Sequence, residues 1–137
     1  MFEYHGWISL RATAAAVDDE PPLPLAEIEV LVGELSGYAL MDLRAMNGNH
    51  YVHMGGHPNH RGIHGDRLIT MFRRIGELAP GSYGLLYVRD DEDPHHPTEF
   101  RVYRMVRGAV TEQADTLLSP VIPVLEDPDT GLAESPH

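Results

Sequence analysis

Cysteine is absent from the 137 residues, which excludes disulfide staples, thiolate metal sites and a cysteine nucleophile at once. Lysine is absent as well, so all ten basic residues are arginines. No apolar run approaches the roughly 18 residues that suggest a membrane span, and no fixed-period repeat is visible. The N-terminus lacks the basic region and long apolar region of a secretion signal, because Glu3 and His5 interrupt the opening run. A protein that stays in the cytoplasm is expected. Nucleophile-elbow serines and phosphate-binding glycine loops are also missing. Ser9, Ser36, Ser82, Ser119 and Ser135 lack that context, and Gly55-Gly56 and Gly62-x-x-Gly65 do not follow a strand with the required spacing.

What is abundant is acid. Twenty-one Asp and Glu against ten arginines give a formal charge of −11, which repels nucleic acid and anionic membranes and suits a basic partner. Acidity also serves solubility, so charge alone does not assign a role. The length fits one domain with a sizeable core, and stability has to come from packing.

Phe2, Tyr4, Ile8 and Leu10 alternate with Glu3, Ser9 and Arg11, the period of a half-buried strand. Gly6 interrupts the alternation and suggests a bulge. Trp7, the only tryptophan, reads either as a core or edge anchor or as a hot spot for a partner. After an acidic, proline-rich connection, Leu25, Ile28, Val32 and Leu35 recur at helical spacing, predicting a helix over 24–36 with Glu27 and Glu34 toward solvent. Asn47-Gly48 predicts a tight hairpin between strands at 38–46 and 49–54. Leu68, Met71, Phe72, Ile75 and Leu78 predict a second helix over 66–79, capped by Asp66 and stopped by Pro80-Gly81. Strands at 83–89 and 100–107 flank the charged turn Asp90-Asp91-Glu92-Asp93-Pro94-His95-His96-Pro97. The order predicts an α+β fold, a largely antiparallel sheet with two helices packed on one face. Residues 128–137 read as a loose C-terminal tail.

The segment Leu118-Ser119-Pro120-Val121-Ile122-Pro123-Val124-Leu125-Glu126-Asp127 is stiffened by its prolines into an extended strap. Taken together, the Phe-Glu-Tyr-His-Gly-Trp opening and this Ser-Pro-Val-Ile-Pro…Glu-Asp closing resemble the immunity protein 7 family of bacterial polymorphic toxin systems. The resemblance spans about residues 2–127. It implies a single α+β domain over 1–127 that binds a toxin encoded beside it, an inhibitor and not an enzyme, with no cofactor.

Occlusion of the toxin's active site is then the expected mechanism, the toxin being a cognate domain such as a basic nuclease. Candidate toxin-binding residues are Asp90, Asp91, Glu92 and Asp93 as phosphate mimics, with Tyr51, His53 and Trp7 as aromatic anchors. The alternative is a small metal-dependent hydrolase using His50, His53, His57, His60 and His64, five of nine histidines within fifteen residues. Against it, Pro58 and Gly62 spoil a helical frame, His50 and His53 fall on opposite faces of a strand, and no His-Glu-x-x-His is present. A structural adaptor is the third reading.

Overall fold

A computed structural model of the chain describes residues 1–37 and 39–120. Its elements run β1 (Phe2–Leu10), α1 (Leu25–Leu35), β2 (Leu40–Met46), β3 (Asn49–Gly56), α2 (Gly62–Leu78), β4 (Tyr83–Asp90), β5 (Arg101–Val106) and β6 (Ala109–Ala114). The six strands form one sheet in the order β2-β3-β1-β4-β5-β6, and every pairing is antiparallel. The N-terminal strand is therefore central, flanked by β3 and β4. The proline strap from residue 121 onward and the tail at 128–137 lie outside the described residues.

Alternation along β1 decides which face is covered. Phe2, Tyr4, Ile8 and Leu10 are all at most 4% exposed, and they join Val52, Met54, Leu86 and Val88 from the neighbouring strands in one core. The buried residues of both helices, Ile28, Val32 and Leu35 from α1 and Leu68, Phe72 and Ile75 from α2, belong to that same core. Two helices thus cover one face of an antiparallel sheet, as the sequence pattern predicts.

Three local expectations are corrected. Gly6 makes no bulge, since it stays in continuous register opposite Met54 and Leu86. A Cβ there would lie 2.9 Å from Leu86 Cδ1, so packing, not a register slip, accounts for the glycine. The second helix begins at Gly62, four residues before Asp66, with the Gly65 amide donating to the Arg61 carbonyl at 2.7 Å. Asp66 does not cap it and instead pairs with Arg61 Nε at 3.0 Å.

A sixth strand also follows the turn Arg107-Gly108. Both turn residues have positive φ, 49° and 73°, matching 51° and 80° at Asn47-Gly48, the geometry that twists a two-residue hairpin correctly. Arginine gives no advance signal for that geometry, whereas Asn-Gly does.

Candidate functional site

The face of the sheet opposite the helices carries the candidate anchors. Register alone gathers them. Trp7 on β1 lies opposite His53 on β3 and Leu85 on β4, and Ser9 lies opposite Tyr51 and Tyr83. Odd-numbered residues of β1 thus share one side with Tyr51, His53, Tyr83, Leu85 and Tyr87. The Trp7 ring meets Tyr83 edge-on, 5.9 Å between centroids at 88°. Tyr51 and His53 tilt together at 6.5 Å. Trp7 remains 36% exposed and Tyr83 47%, so rings that could have been core sit on open surface. Further along, Tyr87 and His5 both contact the Phe100 ring, at 5.9 and 6.3 Å, and Phe100 is buried.

The acidic turn stands at the other end of the strands. Phe2 pairs with Asp90, five residues from Trp7 on β1, about 17 Å at the rise of an antiparallel strand. Its carboxylates are already engaged within the chain. The Met1 ammonium contacts Asp91 at 2.7 Å and Glu92 at 3.7 Å. His60 Nδ1 pairs with Glu92. Asp90 accepts the Glu92 amide at 3.0 Å, and Asp93 accepts the amides of His95 and His96 at 2.9 and 3.2 Å.

These contacts favour the charged forms. Asp91 is held below the usual carboxylate range by its hydrogen bond from the ammonium, Glu92 by His60, and Asp93 first by the His95 amide. The ammonium is raised by the same bond to Asp91. Oxygens of Asp90, Asp91 and Glu92 lie within 4.8 Å of one another, with that ammonium and the His60 imidazole against them.

Sequence reading treats the acids before and along the first helix as merely solvated. Residues 12–43 hold Asp18, Asp19, Glu20, Glu27, Glu29, Glu34 and Asp42 with no arginine. Among the described residues only Asp42 of these makes an ion pair, with Arg44 at 3.2 Å. The larger unneutralised negative surface is therefore α1 and its approach, not the turn. Tyr83 and Tyr87 were also missed, because Tyr-Gly-Leu-Leu-Tyr reads as a strand with no preferred face until its partners are known.

The histidines separate. His50 and His53 lie on β3, facing opposite sides of the sheet, and His57 sits in the following loop. His60 binds Glu92, and His64 on α2 meets the Tyr4 hydroxyl through Nε2 at 2.9 Å. Among the described residues no three of them bring ligand atoms within 4.8 Å of one another.

His64 is partly buried, and desolvation lowers its pKa from the ordinary 6.5. A depressed histidine favours folding while neutral, so its contribution is complete above about 6.5 and is lost as pH falls through the folded value. The depressed carboxylates of the turn lose theirs only at lower pH, as it falls through their own folded values. Melting temperature is therefore expected to fall in two stages on acidification, and H64Q to remove the upper stage alone. A melting series from pH 8 to 3 checks this; an unchanged upper stage in H64Q would assign it elsewhere.

A family model described as Immunity protein 7 matches residues 1–127 of the chain. No curated protein and no solved structure matches it.

Proposed function

The chain belongs to the immunity protein 7 family, and on that footing we propose that it neutralises a cognate toxin domain by docking its open sheet face over the toxin's active site. The observation that carries this reading is the exposed aromatic surface. Tryptophan and tyrosine dominate the energetics of protein interfaces because they bury large area with few rotors to immobilise. Here Trp7, Tyr83, Tyr51 and His53 occupy adjoining register positions on the face opposite α1 and α2. They stand on β1, β3 and β4, each hydrogen-bonded to a strand on both sides, so the backbone beneath the rings is ordered before binding and adds little to its cost. The role needs no catalysis. A basic nuclease is the partner that the charge of −11 favours.

The acid of the chain acts at longer range. Excess carboxylates steer a basic partner into encounter, raising association from about 10⁵–10⁶ toward about 10⁸–10⁹ M⁻¹s⁻¹ at low salt. Replacing Asp90, Asp91, Glu92 and Asp93 by their amides is expected to slow association about tenfold at low salt and to flatten its salt dependence. Stopped-flow mixing with the toxin domain reads both. If neither changes, steering comes from α1 and its approach.

The function itself is tested in cells. Bacteria expressing the toxin domain encoded beside this chain are expected to survive when the chain is co-expressed and to die when it is not. Death at the same rate in both would overturn the assignment.

A further inference from the structure

The ten arginines divide by their surroundings. Arg44, Arg61, Arg74, Arg89 and Arg101 each have a carboxylate oxygen within 3.9 Å, and Arg73 lies over the Tyr103 ring at 5.7 Å. Among the described residues Arg11, Arg67, Arg104 and Arg107 have no ion-pair partner. Arg67 stands by itself on α2. The other three converge on one end of the aromatic face.

Backbone contacts bring them there. The Arg11 carbonyl accepts the Gly81 amide at 3.0 Å, and Gly108, next to Arg107, donates to the Ser82 carbonyl at 2.9 Å. Arg11 and Arg107 therefore flank the turn that leads into Tyr83, and together with Tyr83 and Val106 they line one cleft of about 430 Å³. Arg104 lies opposite Leu85, which is itself opposite Trp7, so it shares their side of the sheet. In a chain with about twice as many acids as arginines, three cations with no carboxylate at ion-pairing distance among the described residues, beside a half-exposed tryptophan–tyrosine pair, are a local reversal of sign.

From this reversal we infer that the Arg11–Arg104–Arg107 end of the open face receives carboxylate side chains of the toxin, clamped against the Trp7–Tyr83 rings. The inference rests on the proposed toxin-binding role and specifies what the toxin presents. Guanidinium groups match a carboxylate in two-point geometry, and Trp, Tyr and Arg are the residue types in which binding energy concentrates. Hydrolytic active sites commonly carry the carboxylates that hold a metal or move a proton. A toxin basic overall but acidic at its catalytic centre would be drawn by the inhibitor's net charge and then held at this corner.

The probe is the toxin domain encoded beside this chain, recovered from the co-purified complex in denaturant and refolded. R11Q/R107Q is expected to bind it at least 100-fold more weakly than the wild-type chain, with an unchanged melting temperature because neither arginine has an ion-pair partner among the described residues. R107K is expected to recover part of the loss and R107E to deepen it. Binding of R11Q/R107Q within twofold of wild type would overturn the inference while leaving the toxin-binding role intact; a wild-type chain that does not bind overturns that role first. The chain's own acids are the competing occupant. If E126Q/D127N and R11Q/R107Q lower the melting temperature equally and their effects do not add, the cleft is filled from within and the inference fails.

Discussion

Trp7→Ala is expected to weaken toxin binding by about 30- to 1,000-fold, the range of a central hot spot worth about 2 to 4 kcal/mol. Three observations set that scale. The indole occupies the middle strand, so a partner laid on the face meets it near its centre. Its edge-on contact with Tyr83 fixes its orientation. Its exposure of 36% leaves surface to be desolvated on docking. The core lies on the other side of β1, so the variant should keep its fold. Trp7→Phe should retain part of the affinity, since a smaller ring can still meet Tyr83 edge-on. Titration calorimetry with the toxin domain checks both, with circular dichroism confirming the sheet. Loss of less than threefold would remove Trp7 from the interface.

Phe72→Ala should have the largest effect on folding, about 4 kcal/mol, because a fully buried aromatic ring leaves both lost transfer energy and a cavity. Phe72 is 0% exposed and lies on α2 within the single core that joins both helices to β1. With total stability of a domain near 5–15 kcal/mol, such a loss leaves little margin. At this chain length it corresponds to a fall in melting temperature on the order of 15 °C. Leu117→Ala is the control, since Leu117 is 91% exposed and its truncation should move the midpoint by less than about 2 °C. A thermal melt of the two variants decides it; similar shifts in both would mean that α2 does not organise the core. Below its midpoint Phe72→Ala should still bind the toxin, which separates packing from recognition.

Much of this architecture is legible in the chain because its signals are local. The alternation of Phe2, Tyr4, Ile8 and Leu10 identifies a strand and its buried side, the 3.6-residue spacing of Leu25 to Leu35 and of Leu68 to Leu78 identifies both helices, and Asn47-Gly48 identifies the hairpin. What local pattern does not carry is long-range register. Trp7 meets Tyr83 only because Ser9 pairs with that tyrosine across 74 positions of sequence, and neither residue announces the other. The β6 strand escaped because Ala109–Ala114 alternates weakly and its turn has an arginine where asparagine is usual.

The candidate interface residues show the same division. Trp7, Tyr51 and His53 could be singled out as aromatics on strands, and the structure brings all three to one face. Their partners Tyr83, Arg104 and Arg107 could not be found, since pairing decides which side of the sheet each occupies. The four acids of the β4–β5 turn are conspicuous in sequence, but sequence does not disclose that Met1 and His60 sit against them. The histidine run likewise looks dense along the chain and disperses in space, because a strand, a loop and a helix each take part of it.

The single tryptophan offers a direct probe of the central claim. With 5-fluorotryptophan incorporated, the chain gives one fluorine resonance, from position 7. Addition of unlabelled toxin domain is expected to shift that resonance, with saturation at one toxin per chain, and to abolish its response to the isotope composition of the water as the indole leaves solvent. A resonance that stays in place and keeps that response while the toxin is fully bound and inhibited would show that inhibition acts through another surface.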